Sequence, residues 1–432
     1  MKRIVITLLL LVAVLCMFVA CDETVNEEPP NETESTACTS HTFGEWTQAL
    51  APTCTEKGQE RRDCDHCEHF ETREINATDH DYTSVVITPP TKVNDGYTTH
   101  TCSKCNDSYT DAIVPAIGSD GLAYEVNGNS KTCTIIGMGT CTDKQIAIPR
   151  TINGYQVTAI GNRAFYSCNI TLIKIPATVK TIGSAAFESC TSLTSVSITN
   201  GVTSIGDFAF SCCFNLVDVS IPSSVTDIGK SSFSNCESLT GITIPDGVKT
   251  IGNSAFYSCV SLKSISIANS VTSIGTQAFR HCSSLRNIVI PDSVTSIGNY
   301  AFADCTKLTS ITLSENMMTI EHNTFKNCSS LRNIKIGNNV KMIYTSAFEN
   351  CKNLTTVTIP DRLIYIGQSA FSGCTSLKTV YHSNTANDWN NINIDQYNAP
   401  LTDASIYYYS ETAPTTEGNY WRYVDGVPTP WA

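Results

Sequence analysis

Residues 239–259 read LTGITIPDGVKTIGNSAFYSC, and variants of this segment recur from about residue 160 to residue 380. Each copy places a Phe five residues after an Ile and three residues before a Cys. Successive copies are 23 residues apart, except for a first step of 22. The ten Phe positions are 165, 187, 210, 233, 256, 279, 302, 325, 348 and 371. A fixed period of this length predicts a repeat architecture.

The apolar residues of one repeat show how the copies must be arranged. A single short coil cannot bury Leu262, Ile265, Ile267, Val271, Ile274, Phe279 and Cys282 by itself. Stacked coils can bury them in one continuous core, so the pattern predicts a solenoid. Ser264 to Ile267 alternates polar and apolar residues, which predicts a half-buried strand that is parallel to its counterparts in neighbouring coils. The Ala-Phe-x-x-Cys segment leaves room for one helical or 3₁₀ turn.

The recurring Cys can be interpreted as a ladder of disulfides or as buried thiols. In-register side chains on stacked coils point the same way, which leaves their Cβ atoms about 5 Å apart where a disulfide needs about 3.8 Å. Cys also packs well as a small apolar residue. We therefore expect reduced, buried thiols. A ladder of metal ions is not expected, because no His or carboxylate shares this register.

The repeat resembles the BspA-type family of leucine-rich-repeat surface proteins over residues 160–380. This resemblance implies a leucine-rich-repeat solenoid of about ten coils, with parallel strands and short helical or 3₁₀ turns. It also implies adhesion or protein recognition on the surface of a bacterial cell, without catalysis. The resemblance supplies no individual functional residue. The terminal VDGVPTPWA is similar to the tails of clostridial-type members of the family.

The N-terminus predicts export. Lys2 and Arg3 precede an apolar run from Ile4 to Ala20, which is short for a membrane span and typical of a signal peptide. The following Cys21 resembles the lipidated residue of a bacterial lipobox, with Phe18 in place of the usual Leu. The alternative is ordinary signal cleavage that leaves Cys21 unmodified. The resemblance implies a lipid anchor on the extracellular face of the cell membrane.

Composition and motifs divide the chain into six predicted segments. Residues 22–37 are acidic and poor in apolar side chains, which predicts a disordered tether. The aromatic residues near the C-terminus predict a cap over the last coil, and the alternative is a platform for sugars. The segments are a signal peptide (1–21), the tether (22–37), a Cys-rich module (38–118), an N-terminal cap (119–159), the solenoid (160–379) and a C-terminal cap (380–432).

The Cys-rich module contains two copies of one motif. His41 and Cys64-x-x-Cys67 in the first copy match His80 and Cys102-x-x-Cys105 in the second. This motif resembles short Cys-rich repeats of clostridial surface proteins. The first copy also contains Cys38, so Cys38, His41, Cys64 and Cys67 are candidate ligands for a structural zinc ion. Disulfide bonds are the alternative. The second copy lacks an equivalent of Cys38, which weakens the same prediction there.

Charge and motif content exclude other classes of function. The net charge of −12 gives phosphates no basic surface, so nucleic acid is not an expected partner. No nucleophile elbow, zinc-protease motif or phosphate loop is present. The sequence therefore predicts a protein that is not an enzyme.

The outward positions of the repeated strand are the predicted ligand surface. Most are Ser or Thr and none is aromatic, which favours a protein ligand on host or neighbouring cells over a glycan or nutrient. Larger side chains interrupt the pattern toward its C-terminal half. Arg286, Asn287, Arg332, Asn333 and Lys335 are the candidate ligand-binding residues, because Arg is enriched at the energetic centres of interfaces.

Overall fold

A computed structural model describes residues 40–431 of the chain. The predicted signal peptide, Cys21, the tether and Cys38 lie outside the described residues. Two compact units are present. The described part of the first comprises residues 40–83 and Cys102–Asp107, and the second comprises Ser84–Thr101 and Ser108 onward. None of the helices within residues 40–431 is long and apolar enough to cross a membrane.

The two copies of the Cys-rich motif form two antiparallel sheets of three strands each. The order is β1-β2-β3 in the first copy and β4-β5-β6 in the second. The strands are β1 Thr47–Leu50, β2 Gly58–Asp63, β3 Phe70–Ile75, β4 Ser84–Thr88, β5 Gly96–Thr101 and β6 Ser108–Val114. Gly58 and Gly96 open the middle strands, and a Cβ at either would lie 2.5 Å from the backbone nitrogen of Pro52 or Pro90. This close approach explains why Gly recurs at that position.

Each coil of the repeat contributes two strands, and these stack as two parallel layers, the first sheet and the second sheet, in which the hydrogen bonding between strands is interrupted between some neighbouring coils. The longer strands make the first sheet, and two-residue strands make the second. The first-sheet strands of the repeats are β12 Leu172–Ile175, β14 Ser195–Ile198, β16 Asp218–Ser220, β18 Gly241–Ile244, β20 Ser264–Ile267, β22 Asn287–Val289, β24 Ser310–Thr312, β26 Asn333–Lys335, β28 Thr356–Ile359 and β30 Thr379–His382. The second-sheet strands are β13 Thr181–Ile182, β15 Ser204–Ile205, β17 Asp227–Ile228, β19 Thr250–Ile251, β21 Ser273–Ile274, β23 Ser296–Ile297, β25 Thr319–Ile320, β27 Met342–Ile343 and β29 Tyr365–Ile366.

The solenoid continues beyond the ten Phe-containing repeats. At its N-terminal end, β7 and β8 form an antiparallel hairpin, while β9 pairs with β12 and β11 with β13. At its C-terminal end, β31 and β32 extend the two sheets. The architecture therefore has about 12 turns rather than ten. The flanking elements are β7 Ala123–Val126, β8 Thr132–Gly137, β9 Gln145–Ala147, β10 Thr151–Ile152, β11 Tyr155–Ile160, α1 Ala386–Asn390, β31 Asn393–Ile394, α2 Ala399–Thr402, β32 Ser405–Tyr409, β33 Tyr420–Val424 and β34 Val427–Pro430.

Stacked Phe rings form the centre of the core. Neighbouring rings from Phe165 to Phe371 are stacked, with centroids 5.1–5.7 Å apart, and every one is fully buried. The Leu, Val and second-strand Ile of most repeats are buried around them. Ile265 and Ile267 depart from the prediction, since they are only partly buried against the core. The predicted leucine-rich-repeat solenoid is thus confirmed.

The Ala-Phe-x-x-Cys segment consists of hydrogen-bonded turns and not of a regular helix. In the repeat around Phe256, Ala255 donates to the carbonyl of Gly252 and Cys259 donates to that of Phe256. Ser254 and Ser258 on either side of this Phe have φ of 54° and 56°. A left-handed residue cannot continue a right-handed helix, so the chain turns twice without forming one.

Candidate functional site

The outward face of the first sheet is lined by small polar side chains, as the sequence predicts. In the central coils the side chains of Asp218, Ser220, Thr243, Ser264 and Ser266 are exposed, and they border a shallow depression of 450 Å³. Thr358 is the exception, because it is only 6% exposed. Its strand neighbour is Tyr381, whose large ring adjoins it on the same face.

Arg286 and Arg332 are exposed and lie one coil on either side of Thr309. The Thr309 amide donates to the carbonyl of Arg286 at 2.8 Å, and the Arg332 amide donates to the carbonyl of Thr309 at 3.4 Å. This hydrogen-bonded ladder places the two Arg on the same edge of the sheet. Within residues 40–431, neither guanidinium forms an ion pair or a side-chain hydrogen bond. Both charges are therefore available to a partner.

Two further basic residues share this register and were missed by the sequence analysis. Lys263 and Lys378 each directly follow the Leu that recurs in every one of these repeats, as Arg286 and Arg332 do. Both are exposed, and neither forms an ion pair within the described chain. The basic line formed by Lys263, Arg286, Arg332 and Lys378 therefore runs along one edge of the first sheet. Aligning the repeats by their Leu would have revealed it.

Two of the other three candidate ligand-binding residues, Asn287 and Lys335, already have partners within the protein. Asn287 Oδ1 accepts hydrogen bonds from Ser310 Oγ at 2.8 Å and from Thr309 Oγ1 at 3.1 Å. Lys335 forms an ion pair of 2.6 Å with Glu315. Burial lowers the pKa of Lys335, but Glu315 outweighs this effect and raises the pKa above its ordinary value. The positive charge of Lys335 is thus partly neutralised within the protein, while Asn333 is exposed.

Aromatic side chains enter the first-sheet face only toward its C-terminal end. A depression of 430 Å³ is lined by Lys335, Thr356, Tyr381, Tyr423 and Pro428, among others. Trp421 is fully buried beside it and donates its indole N–H to the carbonyl of His382 at 2.8 Å. Trp421 therefore serves packing, as expected for a cap, whereas Tyr423 remains 41% exposed.

The structure describes three of the four candidate ligands of the first predicted zinc site. His41, Cys64 and Cys67 lie close enough for their ligand atoms to share one metal ion, and His41 Nδ1 is 3.3 Å from Cys67 Sγ. The backbone N–H of His66 and the side chain of His41 lower the pKa of Cys64 to about 6, against the effect of burial. These three residues fit a zinc site. The fourth candidate, Cys38, lies outside the described residues.

A second cluster contains a residue that the sequence analysis did not assign. Cys54, His80, Cys102 and Cys105 bring four ligand atoms within 4.8 Å of one another. Burial raises the pKa of Cys102, but N–H donors from Lys104 and Asp81 outweigh it and lower the pKa to about 6. Burial and the neighbouring thiols raise the pKa of Cys54 to about 11. Cys54 escaped notice because it lies in the first copy, at a position where the second has Lys92.

The solenoid cysteines have a different environment. Cys259 Sγ donates to the carbonyl of Phe233 at 3.2 Å, and Cys282 Sγ does the same to Phe256. Equivalent bonds recur from Cys190 to Cys374. Burial raises the pKa of Cys259 to about 12. A protonated thiol is required for this hydrogen bond, so each ladder sulfur is used as a donor within its own core.

The fold and the face described above define a leucine-rich-repeat protein with a parallel β-solenoid. The family model for the BspA type leucine rich repeat region matches six copies over residues 158–286 and 272–396, which together span more than half of the chain. The chain therefore belongs to the BspA-type leucine-rich-repeat family, whose members are cell-surface proteins. A comparison with curated proteins gives no match.

Several solved structures are similar to this chain. A leucine-rich cell surface protein from Faecalibacterium prausnitzii is 29% identical, covers 68% of this chain and 100% of its own, and has a TM-score of 0.36. A leucine-rich repeat protein from Bacteroides ovatus is 25% identical, covers 67% and 98%, and has a TM-score of 0.30. The pneumococcal vaccine antigen PcpA is 18% identical, covers 76% and 94%, and has a TM-score of 0.40.

Proposed function

We propose that this chain is a cell-surface binding protein that recognises acidic segments of a protein partner, on host or neighbouring cells, with the first-sheet face of its solenoid. The observation that supports this most strongly is the basic line, whose four exposed side chains have no acidic partner among residues 40–431. The whole chain has a net charge of −12. Unpaired cations in one register on an acidic protein favour an acidic ligand, because complementary charge guides encounter and fixes orientation.

The surrounding residues are suited to the same role. Ser and Thr hydroxyls on the strands can both donate and accept hydrogen bonds, and their short side chains leave the sheet flat. Arg adds a planar group that can form two parallel hydrogen bonds with a carboxylate. This combination of side chains favours a protein ligand with a broad contact surface over a small-molecule ligand, which would need a deeper cavity.

The test is a double substitution in the basic line. Arg286→Ala with Arg332→Ala should weaken binding of the mature chain to partners captured from host matrix or bacterial surface extracts by at least tenfold. The melting temperature should remain nearly unchanged, because both side chains are exposed. The wild-type affinity should also fall as the salt concentration rises, since exposed charges are screened.

Lys249→Ala with Lys341→Ala provides the matched control. Both Lys are exposed and precede second-sheet strands, so this variant also removes two positive charges but leaves the basic line intact. Equal loss of binding in the two variants would indicate a nonspecific effect of net charge. Unaltered binding in a folded Arg variant would refute the assignment of the face.

We also propose that Cys21 anchors the protein to the extracellular face of the cell membrane. The support is the apolar run that precedes it and the acidic segment that follows it. Metabolic labelling with a palmitate analogue should mark the wild type and not a Cys21→Ser variant. Membrane retention of an unlabelled variant would contradict the anchor.

A glycan ligand is the second candidate, and one observation favours it. Tyr381 and Tyr423 line the C-terminal depression together with Lys335, and exposed aromatic rings can stack on sugar rings. Tyr423→Ala should then weaken glycan binding while leaving protein binding unchanged. Unchanged binding of both kinds of ligand would assign the aromatic residues to the cap alone.

A further inference from the structure

We infer that Cys54, His80, Cys102 and Cys105 form a second structural zinc site, in which the first copy of the Cys-rich motif supplies the ligand that the second copy lacks. Three of these ligands occupy positions equivalent to His41, Cys64 and Cys67. The fourth, Cys54, follows β1 in the first copy. This inference is independent of the proposed binding function.

The distances between the ligand atoms fit tetrahedral coordination. Zn–S bonds of about 2.3 Å place two sulfurs about 3.8 Å apart across a tetrahedron. Cys54 Sγ and Cys102 Sγ are 3.8 Å apart. His80 Nδ1 lies 3.3 Å from Cys105 Sγ, which matches the distance between His41 and Cys67 in the other cluster. A disulfide between Cys54 and Cys102 would require about 2.05 Å.

Groups around the cluster orient the ligands as they do in zinc sites. The Asp81 amide donates to Cys102 Sγ at 3.3 Å. On the far side of the His80 ring, Nε2 is 3.8 Å from Asp107 Oδ2, and Tyr82 donates to the same carboxylate oxygen at 2.5 Å. In metal sites a carboxylate that is hydrogen-bonded to the second ring nitrogen fixes the tautomer of the His, and Asp107 lies on that side of the His80 ring, beyond hydrogen-bond distance. The nitrogen that remains, Nδ1, is the one that faces the sulfurs.

The composition of the interior gives an independent reason for a metal. Among residues 40–118, the buried side chains of apolar type are three cysteines, namely Cys54, Cys64 and Cys102. Larger apolar residues such as Leu50, Phe70 and Ile87 are 59%, 47% and 75% exposed. A small module without an apolar core needs a metal or disulfides to be stable. Here the candidate ligands themselves occupy the interior.

Zinc at this cluster would connect the turn after β1 to the Cys-x-x-Cys turn of the second copy. The chain between Cys54 and Cys102 includes most of both copies, so the ion would close a long loop. This arrangement explains why the second copy can lack an equivalent of Cys38. It also predicts that the second site depends on the first copy.

Elemental analysis of the mature chain tests this inference. The wild type should retain one zinc for the second cluster in addition to the ion of the first cluster. Cys54→Ser should lose one equivalent, and Cys64→Ser should lose the other. Cys141→Ser is the control, because Cys141 is also buried but lies outside both clusters; it should lose none.

Two substitutions of His80 distinguish the loss of a ligand from misfolding of the variant. His80→Cys supplies a sulfur ligand and should keep the equivalent of zinc that His80→Ala loses. Two results would overturn the inference. One is an unchanged zinc content in Cys54→Ser. The other is a Cys54–Cys102 disulfide in protein that was purified with zinc present and without added oxidant.

Discussion

The Cys-rich module and the solenoid use the same residue for opposite purposes. In the solenoid, a cysteine such as Cys282 is fully buried among Phe and Leu side chains and donates its S–H to a backbone carbonyl. In the module, Cys102 is equally buried but accepts an N–H and faces a His and two other sulfurs. Burial alone therefore does not determine what a cysteine does. The neighbouring donors and acceptors decide whether it remains a thiol or becomes a ligand.

Metal removal should separate the two regions most strongly. A chelator should unfold the module, because the binding free energy of structural zinc, on the order of 10–16 kcal/mol in zinc-finger peptides, is also folding free energy. The solenoid should be unaffected, since its core is apolar. Hydrogen exchange on the full chain should show loss of protection within residues 40–117 and unchanged protection in the repeats. Equal loss in both regions would contradict this division.

Loss of a stacked ring should produce the opposite pattern. Phe279→Ala should destabilise the solenoid by about 3–5 kcal/mol through cavity formation, and it should leave zinc content unchanged. Chemical denaturation followed by circular dichroism measures the change. Phe214→Ala is the control, because Phe214 is 39% exposed and lies outside the stack. A similar loss in both variants would refute the importance of the stack.

Substitution of a ladder cysteine should have a smaller effect. Cys282→Ala removes the S–H donor and leaves a small cavity, at a cost on the order of 1–2 kcal/mol. Cys282→Ser keeps a donor to Phe256 and should cost less if the hydrogen bond matters. Cys212→Ala, at a half-buried site outside the ladder, should be nearly neutral. If Cys282→Ala were also neutral, the thiol would be a filler without an energetic role.

The smallest expected effect concerns histidine. His382 is fully buried and lies between Trp389 and Tyr408. Burial lowers the pKa of His382, although Asp388 opposes the shift. The unfolded chain therefore takes up a proton first as the pH falls through about 6.5, and the solenoid should lose stability below that pH but not above it.

A His382→Phe variant isolates this contribution. In a series of denaturation curves from pH 8 to pH 5 it should show a smaller acid-side loss than the wild type, because the buried imidazole has been removed. Identical pH dependence in wild type and His382→Phe would show that another group controls the acid-side stability.

The sequence predicts the features that every coil shows as a clear residue pattern, and it misses short strands and contacts between non-equivalent positions. The period of Phe and Cys gives the stacking, the parallel strands and the buried ladder, because every coil imposes the same requirement. The second sheet was missed, since a two-residue strand such as Thr181–Ile182 is too short to show alternation. Cys54 was missed because its partners come from another copy, and motif matching compares equivalent positions. Thr358 is buried although it occupies an outward strand position, and its neighbour Tyr381 belongs to the following coil, which the pattern of a single repeat does not show.

Alkylation of native protein, analysed peptide by peptide, tests the division between the two kinds of cysteine most directly. We predict that neither the module nor the ladder cysteines react in the zinc-loaded protein. After chelation, Cys54, Cys64, Cys67, Cys102 and Cys105 should react, while the ladder from Cys190 to Cys374 should react only after denaturation. Module cysteines that react equally with and without chelator, or ladder cysteines that are found as disulfides, would contradict this account.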